Sequence, residues 1–421
     1  MFAGPEWVSQ MKYDYIIVGA GLTGLSAAIQ LKKRNKKVLV IESSPEVGGR
    51  VKTDTVDGFQ LDRGFQVLLT DYPELELALN PAKLKLKYFQ PGAYVYREAE
   101  TFKLVADPTR IPGKMFATLF GGVGSLGDKI KLLKLKNRLK SMSVEAIFEQ
   151  KEIPTADALK EYGFSNGFID SFLRPFFGGV FLESELNTSR RMFDFCFKMF
   201  SEGDTAVPAN GMGEIGLQMA SQLTPSELLL ETTVKTVYSG YVIIENGMQF
   251  EADHIIIACD PKESLTGVQT QAVKYNRTTT FYYKYSHSPL PESFLVVGGN
   301  GQLINHLAVL TDVSEEYSYT SDALISVNVV DDRNYPFDIL AREVKKELKV
   351  WFGPNASYWE LIKAYPIVKA LPVQHEVRYD FTLDEVTLSK GVYQVGDFTL
   401  NSSINGALRA GRLLVEKLIG A

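Results

Sequence analysis

The sequence predicts an α/β fold with two interleaved domains: a parallel-sheet domain assembled from both ends of the chain, and an α+β domain set into it. Three observations predict it. A strand pattern, a glycine-rich turn and a helix pattern follow one another between residues 13 and 31. A second strand, an acid and a helix recur at 391–411. Between these units a helix-biased stretch gives way to a strand-biased one. The composition agrees: of 421 residues, 45% are hydrophobic and 23% charged, as in ordinary globular chains. That excludes a disordered chain, a fibrous repeat and a small disulfide scaffold. A net charge of -5 argues against a nucleic-acid partner.

The first unit opens at residues 13–18 (YDYIIV), rich in β-branched and aromatic residues, as a buried parallel strand requires. Gly19, Ala20, Gly21, Leu22, Thr23 and Gly24 follow as GxGxxG. Gly19 permits the tight turn, Gly21 lets a pyrophosphate approach the backbone, and Gly24 lets the helix pack closely on the sheet. Leu22, Leu25, Ala28 and Ile29 then recur at helical spacing. The N-terminus of such a helix offers unpaired N–H groups to phosphate. A second strand at 37–41 (KVLVI) ends in Glu42, 18 residues beyond Gly24. An acid there accepts hydrogen bonds from both ribose hydroxyls and repels a 2′-phosphate. This order of elements, more than the glycines alone, marks a dinucleotide site.

The next residues choose between dinucleotides. Ser43 follows the acid, and Gly48, Gly49 and Arg50 follow within the same turn. Two glycines bring backbone close to a ligand, and an arginine neutralises a pyrophosphate; a nicotinamide site needs neither. Read alone, the segment is equally a surface turn with a solvated arginine.

With these residues in view, DYIIVGAGLTGLSAAIQL…VLVIESSPEVGGRVKT resembles the FAD-binding start of the flavin amine oxidase superfamily, which includes monoamine oxidases, protoporphyrinogen oxidases and phytoene desaturases. The resemblance implies a Rossmann-like, GR2-type FAD-binding domain with an interleaved α+β substrate domain. It implies that Gly64, Phe65 and Gln66 form a turn near the flavin ring. It implies that Val234, within a strand at 228–237, contacts adenine through its backbone, and that residues 253–261 form the strand closing the nucleotide domain. At the C-terminus, the strand 391–396 ends in Gly396 and Asp397, the acid implied to contact the ribityl chain or pyrophosphate. N–H groups near Ile404 and Asn405, at the start of the last helix, would face the flavin O2, where negative charge grows on reduction. The FAD domain is expected at 1–70, 205–265 and 385–421, and the substrate domain at 71–204 and 266–384.

Within the substrate half, residues 153–174 carry a helical pattern broken by Gly163. An aromatic cluster follows: Phe176, Phe177, Phe181, Phe193, Phe195, Phe197 and Phe200, with Met192 and Met199. Core is the default fate of such residues, and an apolar pocket wall the functional alternative. Residues 278–285, 307–310 and 324–330 read as strands. Residues 128–140 hold six basic residues and one acid, with Ile130, Leu133 and Leu139 interleaved, next to an apolar run at 111–120. A basic amphipathic segment at 111–140 is either a solvated face or a peripheral contact with an anionic membrane.

Four histidines at unrelated spacings predict no metal site, and no cysteine lies in a CxxC pair. Residues 1–11 read as a loose leader without the pattern of a secretory signal, and no run of about 18 apolar residues suggests a membrane span. A cytoplasmic chain with some membrane association is the expectation. The cofactor, FAD, therefore carries the chemistry. Monoamine oxidases carry a lysine near flavin N5. An ungapped match puts Thr278 at that position, with Lys274 and Lys284 as the nearest lysines in sequence. No general base is named. GDFTLNSSINGALRAGR is more similar to the phytoene desaturase-like branch, which implies oxidation of an apolar, isoprenoid-like substrate with an unspecified electron acceptor. An amine or protoporphyrinogen oxidase, a redox-neutral isomerase and a non-catalytic flavin-binding protein are the alternatives.

Overall fold

The computed structural model describes residues 12–97, 101–106, 110–111, 123–260, 265–330, 332 and 335–420. The expected leader at 1–11, most of the apolar run at 111–120 and Pro261 lie outside the described residues.

One sheet has eight strands. Its main path runs Leu228–Leu229, Val38–Ile41, Lys12–Val18, Gln249–Ile257, Tyr241–Ile244 and Val234–Tyr238. Val392–Gln394 joins Gln249–Ile257 in parallel. The central strands are parallel and apolar on both faces, because helices Leu22–Lys33 and Ile404–Ile419 cover one side while Val237, Val242, Ile244 and Phe250 of the antiparallel strands cover the other. Helix Leu22–Lys33 packs against the last helix, Ile404–Ile419. Gly24 sets its fit on the preceding turn, and Gly411 its fit on the last helix. A Cβ on Gly24 would lie 2.0 Å from the Gly19 carbonyl oxygen, and one on Gly411 would lie 2.2 Å from that of Thr23. Ser26 adds a buried hydrogen bond from Oγ to the Leu408 carbonyl, 2.7 Å.

The second sheet has seven strands, ordered Glu360–Pro372, Tyr275–Tyr285, Ala323–Val330, His306–Val309, Leu295–Val297, Gly92–Arg97 and Thr101–Ala106. Helix Phe337–Phe352 covers it with Leu340, Val344, Leu348 and Trp351, an i, i+4, i+8, i+11 stripe. Helices Leu126–Ser141, Thr155–Glu161, Arg174–Phe181 and Arg190–Glu202 form a separate apolar cluster. Gly163, with φ +81°, ends the second of these where the sequence pattern breaks.

One expected strand is not a single element. Residues 228–237 split into Leu228–Leu229 and Val234–Tyr238, which sit on opposite edges of the sheet. Leu228 pairs with Val40, whereas Val234 pairs with Ile244. Glu231 adopts φ +51°, which an extended strand cannot continue through. The interruption lets the Thr232 N–H reach the Glu42 carbonyl at 2.9 Å.

Candidate functional site

A cavity of about 1100 Å³ runs between the two sheets and the helical cluster. At one end the first strand turns at Gly19, φ +107°. Gly21 meets Gly48 in a short parallel bridge, and the Gly48 N–H donates to the Ala20 carbonyl at 2.8 Å. The GGR turn is thereby bound to the GxGxxG turn, leaving a strip of bare backbone. A Cβ on Gly49 would come to 3.0 Å from the Gly21 Cα. The Glu42 carboxylate accepts from the Ala20 N–H at 2.7 Å and the Ser44 N–H at 2.9 Å. These fix its position at the end of the second strand. Arg50 reaches across to the C-terminal unit, with Nη2 2.6 Å from Asp397 Oδ1.

Further along, Gly64 takes φ +98° in the turn after strand Phe59–Asp62. A Cβ there would stand 2.8 Å from Ile367 Cδ1, so the turn lies directly against the edge strand Glu360–Pro372. Phe65 packs edge-on against His306, centroids 4.7 Å apart. The Asn305 amide donates to the Pro175 carbonyl at 3.0 Å, leaving its oxygen toward His306 Nδ1 at 2.8 Å. That orientation assigns the proton to Nδ1. Burial pushes the His306 pKa down to about 3, so the ring is neutral at neutral pH. Beyond this point Leu132, Leu133, Phe172, Phe176, Phe177, Val180, Met192, Phe197 and Phe200 line the cavity.

The cavity collects most of the residues singled out from sequence. Gly19, Gly21, Leu22, Thr23, Glu42, Gly49, Arg50, Gly64, Phe65, Gln66, Gly396, Asp397 and Ile404 all line it. Five others do not face it. Ala20 is fully buried and contributes its N–H to Glu42. Gly24 sits against the Gly19 carbonyl. Ser43 is exposed beside Glu42. Val234 begins the opposite edge strand. Asn405 is buried, its side-chain oxygen accepting from the Glu74 N–H at 3.0 Å. The aromatic cluster divides: Phe176, Phe177, Met192, Phe197 and Phe200 reach the cavity, while Phe181, Phe193, Phe195 and Met199 are core. Thr278 lines the cavity, its Oγ1 donating to the Val329 carbonyl at 2.8 Å. Lys274 is exposed, and Lys284 pairs with Glu360 at 3.2 Å.

The family profile of flavin containing amine oxidoreductases matches residues 22–419. The chain belongs to the flavin-containing amine oxidoreductase family, and FAD is its cofactor. Sequence relatives span several activities. The chain is 38% identical to a putrescine oxidase of Kocuria rosea over 30% of its length and 25% of that protein's. It is 26% identical to protoporphyrinogen oxidase 2 of Arabidopsis thaliana over 39% of its length and 32% of that protein's. It is 47% identical to 4,4'-diapolycopene oxygenase of Methylomonas sp over 13% of its length and 11% of that protein's. Each alignment thus spans a third or less of the relative it matches. Solved structures align over nearly the whole chain. A putrescine oxidase variant gives a TM-score of 0.72 at 17% identity, over 97% of this chain and 99% of its own. Cyclohexylamine oxidase from Brevibacterium oxydans gives 0.70 at 17%, over 97% and 100%. At that identity the likeness shows a shared fold.

For this member of the family, the cavity wall fits FAD. The bare backbone at Gly21 and Gly49 leaves room for a pyrophosphate that any side chain would fill. One buried polar atom of a residue on the cavity wall, Ser402 Oγ, has no hydrogen-bond partner among the described residues. Sequence reasoning missed the edge strand Glu360–Pro372, which sends Tyr365, Ile367, Lys369 and Leu371 to the cavity. It also missed Asn305 and His306. Nothing in their local pattern distinguishes them from any exposed strand or polar pair. On this strand Lys369 lines the cavity, and it pairs with Asp260.

Proposed function

We propose that this flavoenzyme oxidises an apolar, isoprenoid-like substrate by two electrons to leave a new double bond. The observation that carries this is the lining of the cavity beyond the Gly64 turn, where phenylalanine and leucine side chains predominate and no carboxylate is found among the described residues. Glu42, Asp260 and Asp397 are the acids on the cavity wall among the described residues, and all lie at the cofactor end. Asp260 and Asp397 are held by Lys369 and Arg50. A cationic amine would therefore find no free carboxylate along the apolar length, which weakens the amine oxidase alternative.

In this reading Glu42 holds the adenosine ribose, and the Gly19–Gly21 turn with Gly49 and Arg50 holds the pyrophosphate. Asp397 and the start of helix Ile404–Ile419 hold the ribityl chain and the pyrimidine edge of the flavin. FAD, when bound, supplies the two-electron acceptor at N5. The chain's own part is positioning. Phe65, Ile367 and Thr278 shape the wall against which a C–H bond is presented, and the phenylalanines exclude water from it. Neutral His306 adds no charge there.

Anaerobic mixing of the purified holoprotein with polyenes, amines and porphyrinogens tests the proposal. Polyenes are expected to bleach the oxidised-flavin bands. Bleaching by a primary amine alone, or no bleaching despite normal dithionite reduction, overturns it.

A further inference from the structure

The far end of the apolar cavity is basic. Helix Leu126–Ser141 is capped by Ser125 and Asp128 in a reciprocal box, which fixes its start and hence the register of its faces. Lys129, Leu132, Leu133 and Lys136 line the cavity. Their spacing, i, i+3, i+4 and i+7, is that of one helix face. On this face two lysines bracket two leucines. Burial lowers the Lys129 pKa, the response of an ammonium that has lost solvent.

An adjoining recess of about 430 Å³ continues the trend. Its lining, among the described residues, is Arg110, Lys136, Lys140, Lys198, Ser201 and Glu202. Arg110, Lys136 and Ser201 belong to both spaces, so the recess adjoins the far end of the cavity. Lys198 is buried and anchored: its Nζ donates to the Leu139 and Lys140 carbonyls at 3.1 and 3.3 Å and pairs with Glu202 at 2.9 Å. Arg110 pairs with Asp204 and donates to the Gly203 carbonyl at 2.9 Å. These two cations are held in place, and Lys136 and Lys140, one turn apart on the helix, line the same recess. Four cations, Arg110, Lys136, Lys140 and Lys198, outnumber the carboxylates that face them, Glu202, Asp204 and Asp71, which leaves a positive potential at the end of an apolar cavity.

We propose that this recess receives an anionic end group, a carboxylate or a phosphate ester, carried by the apolar substrate. The inference rests on the apolar-substrate reading and sharpens it. The charged group stays in the recess, where lysine ammoniums meet it. The hydrocarbon runs inward past Leu132, Phe176 and Phe200 toward the Gly64 turn. Direction of binding is thereby fixed, and the carbon presented for oxidation is set by its distance from the charged end.

Equilibrium titration of the FAD-loaded protein with oleate against oleyl alcohol, and with farnesyl monophosphate against farnesol, tests this. At least one anion is expected to bind about tenfold or more tightly than its alcohol, the yield of one charge-assisted hydrogen bond. The pair with the larger ratio identifies the group. In a Lys136→Gln/Lys140→Gln variant the ratio is expected to fall to about one, with the alcohol's Kd and the flavin spectrum unchanged. Equal affinity of both anions and their alcohols in the wild type overturns the anionic group while leaving the apolar channel intact. So does a ratio that survives the double substitution. Failure of all four probes to bind a yellow, dithionite-reducible protein overturns the apolar reading and this proposal with it.

Discussion

The two ends of the cavity are built from different materials. The cofactor end is mostly backbone: Gly19, Gly21, Gly48, Gly49 and Gly64 line it. Four of these five have positive φ, between +65° and +107°. The far end is side chain, with Phe172, Phe176, Phe197 and Phe200 supplied by separate helical elements. A wall of backbone tolerates almost no substitution, because added atoms collide with groups that cannot move. A wall of side chains can be repacked by many apolar sequences at modest cost. The first kind of wall therefore admits few sequences, and the second admits many.

Substitutions at the two ends should separate accordingly. The largest effect is expected just behind the cofactor end, at Gly24, where a Cβ meets the carbonyl oxygen of the wall residue Gly19 at 2.0 Å. Gly24→Val should yield protein that is insoluble or, if soluble, colourless and unable to take up added FAD. A yellow variant with wild-type flavin content would mean that helix and strand separate more easily than the packing implies. Next comes Glu42→Ala. Loss of a hydrogen-bonded charge costs about 1.5–3 kcal/mol, so FAD affinity should fall about ten- to a hundredfold, read by quenching of FAD fluorescence on binding. Unchanged affinity would remove Glu42 from the ribose site. The smallest effect belongs to the far end. Phe176→Ala enlarges a space that is already open, so FAD affinity should be unchanged, while KM for an apolar substrate rises about threefold to tenfold with the lost contact area. Loss of FAD in that variant would erase the distinction between the two ends.

The same contrast explains what was legible in the sequence. Gly19, Gly21, Glu42, Gly49 and Arg50 are close in the chain, and each residue type has one physical reason to be there. The Gly64 turn and Asp397 are remote in sequence and needed the family resemblance to be placed. Strand pattern located Tyr275–Tyr285 and Ala323–Val330, both of which bury nearly continuous β-formers. It missed Glu360–Pro372, whose side chains are mostly half-buried or exposed because the strand lies at the sheet edge along the cavity. Residues 228–237 looked continuous because their composition is uniformly strand-like. The break at Glu231 depends on a backbone conformation that composition does not encode. The aromatic cluster could not be divided into core and cavity wall from spacing alone, since Phe193 and Phe197 lie on one helix, a turn apart, yet only Phe197 reaches the cavity.

The packing of Gly411 against the Thr23 carbonyl carries a consequence for biosynthesis. The first helix emerges from the ribosome early, but the surface it rests on is made nearly four hundred residues later. Its neighbouring strand likewise waits for Gln249–Ile257 to pair with it. Until then an apolar strand edge and a helix face stand open, and pairings this distant in sequence form slowly. The nucleotide half thus stays open while the intervening substrate half is made, and the segment that reads most clearly as a cofactor site is left exposed through that interval.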